Sequence, residues 1–331
     1  MLVVSLTGCA GGGGGTSSAR GSGPLNAVPE TQPVAVRQTI ATEAMERAES
    51  LRQQGMNRQA LVEFERAIEN NPTLPQAFIG AAEIYRAQGD YESAAVRYGQ
   101  AADLEPTRFD SRYNQGLMLQ LLNRVNEAIR AYLRALEIKP DDYDANLNIA
   151  TAYLQTGEAS SALPYAQRAV RINPRSGPAH ANLGSIYGAL NRHQDAVNEY
   201  LQAAELTELK PPLLLNLANS LGKVGRFEEM VNTLNQVIRA QPSAGAYERL
   251  GFAQFRLARY EDALKSFRTS IEIDPSYAPG HTGVGVCLLN EYEFAQRQND
   301  AFRTEGLRHL RTSVQLDPRQ TAVIDLINRY R

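Results

Sequence analysis

Lysine is almost missing from this 331-residue chain: Lys139, Lys210, Lys223 and Lys265 are its only four, so nearly all of the 34 basic charges are arginine. Against them stand 36 acidic side chains, and a formal net charge of -2 leaves no strong field to attract a polyanion. Nucleic acid is therefore not expected as a partner. Only two cysteines occur, Cys9 and Cys287, in very different contexts, which provides neither a disulfide framework nor a thiolate metal site. The histidines His180, His193, His281 and His309 lack metal-ligand spacing. No glycine-rich phosphate loop, Ser-His-Asp order or paired-carboxylate motif stands outside the general pattern, so neither a cofactor nor an enzyme activity is expected.

What the chain does have is a period. Between Leu74 and Pro106, Phe78, Ala81, Ala82 and Tyr85 lie at helical spacing, Gly89-Asp90 breaks the helix, and Ala94, Tyr98 and Ala101 form a second apolar stripe that ends before the proline. A shift of 34 residues yields Gln115, Gly116, Leu119, Asn123, Ala128, Tyr132, Ala135 and Pro140. A second shift yields Ile149, Ala150, Tyr153, Gly157, Ala162, Ala166, Ala169 and Pro174. Each unit reads as helix, turn, helix. The turn positions Gly55, Gly89, Asn123, Gly157, Asn191 and Gly225 hold the two residue types that most readily take the left-handed conformation closing a helix. In the seventh unit Ala258 stands there instead.

This period and these residues resemble the tetratricopeptide repeat, a helical hairpin with a small residue, an aromatic, an alanine, an aromatic, an alanine and a proline in that order. The resemblance implies an all-α fold, a right-handed α-solenoid of about eight hairpins over residues 39–318. Residues 319–331 then form a capping helix, with Ala322, Val323, Leu326 and Ile327 on its apolar face. In the fifth unit Pro211-Pro212 is expected to rebuild the closing turn, and in the eighth Asn290 to Asp300 is an insertion, read as either a functional loop or an extended helix. Cys287, between apolar neighbours, reads as a packing residue.

Residues 1–8 are apolar up to a small residue, and Leu6-Thr7-Gly8-Cys9 resembles the bacterial lipobox, at which a signal peptide is cut and the cysteine acylated. The apolar run is short and no basic residue precedes it, so Met1 is expected to lie inside a longer signal peptide. An incidental cysteine in a plain N-terminus is the other reading. Residues 9–38, rich in Gly, Ser and Pro, read as a tether reaching on the order of 25 to 30 Å. The residue after Cys9 is Ala10 and not aspartate, which in lipoproteins of the enterobacterial type implies the outer membrane.

Asn114, Asn148, Asn182 and Asn216 stand two positions before the small residue in four successive units. In the family this position faces the inner surface. A side-chain amide both donates and accepts, so a ladder of amides suits the backbone of an extended peptide. The ladder resembles the one lining the superhelix of O-linked N-acetylglucosamine transferases, without their catalytic domain; asparagine as the family's common residue at this position is the alternative. The positions where other members clamp a chaperone's C-terminal carboxylate with lysine are Tyr113, Leu147, Ala181 and Leu215, which contain no lysine. The expectation is a non-catalytic scaffold binding protein or peptide partners, held at the cell envelope by a lipid on Cys9 and facing the periplasm. A soluble cytoplasmic adaptor or co-chaperone, or a regulatory subunit of a transferase, are the rivals.

Overall fold

The computed structural model of the chain describes residues 33–208 and 210–331. The Cys9 lipobox and most of the tether lie outside the described residues. Helix α1 (Val34–Gln53) packs against α2 (Asn57–Asn70), α3 (Pro75–Gln88) against α4 (Tyr91–Leu104), α5 (Phe109–Leu121) against α6 (Val125–Ile138), and α7 (Tyr143–Gln155) against α8 (Ala159–Ile172). The same pairing joins α9 (Gly177–Ala189) to α10 (His193–Leu206), α11 (Pro211–Lys223) to α12 (Phe227–Ala240), α13 (Ala244–Arg256) to α14 (Tyr260–Ile273), and α15 (Ala278–Phe294) to α16 (Asp300–Leu316). Helix α17 (Thr321–Arg329) closes the stack. No helix among the described residues is long and apolar enough to cross a membrane.

The turn inside each of the first seven hairpins is set by one residue with positive φ. Gly55, Gly89, Gly157 and Gly225 take φ between 76° and 80°, while Asn123 and Asn191 sit at 58° and 59°. Behind each, the next N–H donates to a carbonyl of the helix's last turn, Asp90 to Tyr85 at 3.0 Å and Arg124 to Leu119 at 2.9 Å, which satisfies groups that a helix end otherwise leaves open. Ala258 is forced into the same geometry at φ 59°, and Arg259 donates to Gln254 at 2.9 Å. An alanine in this region is strained by about 1 to 2 kcal/mol, part of which glycine's larger unfolded-state entropy takes back. Ala258→Gly is therefore expected to stabilise by roughly 0.5 to 1 kcal/mol, because Ala258 is exposed and loses no packing. Calorimetry checks this; a lower melting temperature would mean that the methyl group contributes more than the strain costs.

The small residues of the first helices are explained by the rings of the second. A Cβ built on Gly116 would lie 2.6 Å from the Tyr132 ring, and one on Gly184 or Gly251 would lie 2.9 Å from Tyr200 or Phe267. Each aromatic lies flat against the backbone of its own hairpin partner. Tyr98, Tyr132 and Phe64 are fully buried, each contributing roughly 1.5 to 3 kcal/mol through its apolar area.

Two boundaries differ from the pattern. Helix α1 begins at Val34, ahead of the expected Thr39, because its first turn carries no buried side chain: Val34 and Val36 are exposed and Ala41 is the first to reach the core. Hydrophobic periodicity cannot register a turn that buries nothing. The Asn290 to Asp300 insertion is not a long loop. Helices α15 and α16 have 17 residues each against 13 and 14 in the hairpin before, so the extra chain lengthens both arms and leaves only a short connection in which Gln296 and Arg297 have positive φ. Pro211-Pro212 begins α11, where the missing N–H is no loss, and so starts a helix besides ending the preceding turn. In the cap, Val323 and Ile327 are buried against Leu289, Leu307 and Leu310, with Leu326 partly covered, while Ala322 faces solvent.

First helices of neighbouring hairpins touch one another, α7 with α9, α9 with α11 and α13 with α15; no comparable contact joins the second helices. A stack tighter on one side curves toward it, so the first helices form the inner face.

Candidate functional site

The inner face is built from two residues per first helix, one at the ladder position and one a helical turn later. Asn114, Asn148, Asn182 and Asn216 hold the first position on α5, α7, α9 and α11; Leu117, Thr151, Ser185 and Asn219 hold the second. The four asparagines do lie in one register, but they are not equivalent. Asn148 Nδ2 donates to Tyr113 Oη at 3.1 Å and Asn182 Nδ2 to Thr151 Oγ1 at 2.7 Å, so each reaches back to the preceding first helix. Asn182 Oδ1 is buried with no partner among the described residues. Asn114 and Asn216 make no such bond among the described residues, and Asn216 is exposed. Two rungs thus tie neighbouring hairpins together and two are free to meet a ligand.

Asn216 also borders a cavity of about 270 Å³ with Ser185, His193, Asn219, Ser220 and Lys223. Its walls offer donors and acceptors of both kinds, and Tyr200 Oη donates to Ser185 Oγ at 3.1 Å on one side. Tyr113, at the place a carboxylate clamp would need lysine, stacks on Phe109 with ring centroids 5.5 Å apart. Burial pushes its hydroxyl up to about 12, so it stays a neutral hydrogen-bonding group.

Farther along, the face changes chemistry. Counting back from Gly251 and Gly285, the ladder position becomes Arg249 and then Gly283, and the second position becomes Phe252 and Val286. Phe252, Gly283 and Val286 line a second cavity of about 350 Å³ together with Phe255, Phe267 and Glu248. The run of asparagines ends at Asn216, so the amide pattern does not mark this site. Carrying the same register into units seven and eight would have found it.

His180, His281 and His309 serve the scaffold. His180 Nε2 donates to the Pro174 carbonyl at 3.0 Å and His281 Nε2 to that of Pro275 at 3.0 Å, as Asn146 Nδ2 does to Pro140 at 2.8 Å. In each case a first-helix side chain caps the loop that enters its hairpin. His281 Nδ1 lies 3.0 Å from His309 Nδ1, and burial, with His281 alongside, holds His309 below its ordinary pKa. Cys287 is 1% exposed against Ala263, Phe267, Val284 and Leu288; burial, reinforced by Glu291, pushes its thiol up to about 12. A thiol so held is unreactive at neutral pH and acts as a packing residue.

Sequence models of the tetratricopeptide repeat match residues 45–110, 147–212 and 215–278, and a further TPR-repeat model matches residues 116–157. Among solved structures, YrrB, described as a TPR protein with an unusual peptide-binding site, is 18% identical over 60% of this chain and 98% of its own, with a TM-score of 0.50. A tetratricopeptide repeat protein from Parabacteroides merdae is 15% identical over 76% of this chain and 99% of its own, also at 0.50. PilF of Pseudomonas aeruginosa is 18% identical over 62% and 94%, at 0.48. No curated protein matches the sequence.

Proposed function

Because the chain belongs to the tetratricopeptide-repeat family, whose models cover more than half of it, we propose that this protein-interaction scaffold is non-catalytic and holds extended peptide segments against its first-helix face. The observation that carries the reading is the register of Asn114, Asn148, Asn182 and Asn216 on one continuous face. Amides there can bond a peptide backbone without reading its side chains. YrrB, similar in fold, is itself described as having a peptide-binding site. We further propose that the protein is lipid-anchored at Cys9 and works in the cell envelope, facing the periplasm; the lipobox-like stretch and the Gly/Ser/Pro-rich segment behind it support this.

A photo-crosslinking amino acid at Leu117, on the inner face, is expected to capture a partner segment in the native cell, whereas the same group at the exposed Val62 of α2 is not. The captured segment, made synthetically, is then titrated into wild type and into the variant with all four asparagines changed to alanine. The two free rungs, Asn114 and Asn216, each lose a neutral hydrogen bond of roughly 0.5 to 1.5 kcal/mol, so affinity should fall by about fivefold to a hundredfold. The loss should be nearly independent of salt, since neither amide nor backbone is charged. Asn148→Ala and Asn182→Ala should also cost stability, because their bonds join hairpins. Unchanged affinity in a variant that circular dichroism finds folded would remove the ladder as the binding element.

A further inference from the structure

The apolar cavity between α13 and α15 occupies the same inner face as the amide ladder but has different chemistry. Phe252, Phe255, Phe267, Pro279 and Val286 supply its walls. Its floor exists because Gly283 has no side chain: a Cβ there would collide with the Phe267 ring, which fills the space that asparagine takes in earlier units. Thr282 and Gln320 also border the cavity, yet both are committed elsewhere. Thr282 Oγ1 donates to Gln320 Oε1 at 3.0 Å, and Gln320 Nε2 donates to the Ser313 carbonyl at 3.1 Å.

Two charged groups remain on the wall, and they differ. Arg256 is exposed, with its guanidinium 4.6 Å from the Phe227 ring centroid and 5.9 Å from that of Phe252, so it is solvated and has aromatic partners already. Glu248 is half-buried against the apolar wall and forms no ion pair among the described residues. Burial pushes its carboxyl above the usual carboxylate range, an effect that Arg249 only partly offsets. A carboxylate held in apolar surroundings gains most from an incoming cation.

We propose that this cavity is the anchor site of the peptide groove, taking a large apolar side chain, aromatic or branched, from a segment whose adjacent residue is lysine or arginine and pairs with Glu248. The inference rests on the reading of the first-helix face as a peptide groove and adds a sequence preference that the amide ladder cannot supply. Backbone is held by the amides, and identity is read at the cavity. A cavity of about 350 Å³ lies at the lower end of ligand-pocket sizes and suits one side chain better than a whole cofactor.

The test uses short fluorescein-labelled peptides of serine, glycine and alanine that carry Phe-Lys, Phe-Glu or Ala-Lys at the centre, followed by anisotropy on the full chain. Phe-Lys is expected to bind about tenfold or more tighter than either control. Glu248→Gln should erase the advantage of Phe-Lys over Phe-Glu, and Glu248→Lys should invert it. Phe252→Ser, at a residue 40% exposed and so tolerant of change, should erase the advantage of Phe-Lys over Ala-Lys. Equal binding of all three peptides, weakened together by the four asparagine-to-alanine changes, would overturn the anchor site while leaving the groove in place. A Phe-Lys preference untouched by those changes would keep the anchor site and remove the ladder. Failure of Phe-Lys to bind at all would overturn the anchor site.

Discussion

Gly285→Val is expected to destabilise the C-terminal end of the stack by about 3 kcal/mol or more, the largest loss from any single exchange considered. A Cβ built on Gly285 lies 2.6 Å from the Leu310 side chain and 2.9 Å from the Gly306 carbonyl oxygen. Leu310 could rotate away, although it is fully buried. The carbonyl cannot, because it belongs to the α16 backbone and moves only if the whole helix moves. Gly116, Gly184 and Gly251 face aromatic rings instead, so alanine there should be milder than at Gly285. Repeat stacks are stabilised by contacts between neighbours, so the damage should stay local. Hydrogen exchange read helix by helix is therefore the proper measurement: protection should collapse in α15, α16 and α17 while α3 to α8 keep theirs. Uniform loss across the chain, or none, would contradict the close approach of α15 to α16.

Cys9→Ser is expected to move the protein from the membrane fraction to the soluble one, or to leave its signal peptide uncut. The stretch Leu6-Thr7-Gly8-Cys9 resembles the site at which lipoproteins are processed, and serine keeps the size of the side chain while removing the sulfur that acylation would use. Acyl chains contribute about 0.8 kcal/mol per buried methylene, so the several chains of a processed lipoprotein anchor firmly where one chain would not. Because Cys9 stands well ahead in sequence of α1, which starts at Val34, the substitution should leave circular dichroism and melting temperature unaltered. Expression from the native gene in its own host, followed by fractionation and mass spectrometry of the N-terminal peptide, decides the matter. A soluble, unmodified wild type would remove the envelope assignment and favour a cytoplasmic adaptor.

The helical hairpins, their turns and the inner-face register were legible in the amino-acid sequence because each depends on residue type at short range. Glycine or asparagine at positive φ, alanine beneath a ring and proline after a helix act within one hairpin, and a fixed period repeats the signal until it is unmistakable. Even the strained Ala258 could be located by counting. Features that depend on contacts between hairpins could not. The sequence placed four asparagines in line, but only the stack decided that Asn148 and Asn182 spend their donors on Tyr113 and Thr151 while Asn114 and Asn216 keep theirs. The insertion before Asp300 had the same length whether looped or helical; only the tertiary structure resolved it, by lengthening α15 and α16 together as two helices packed along each other. The anchor cavity likewise requires Phe267 of one hairpin to lie under Gly283 of the next, a juxtaposition that no local pattern encodes. Period and residue type therefore determined the hairpin, and packing between hairpins determined which side chains remain free to bind.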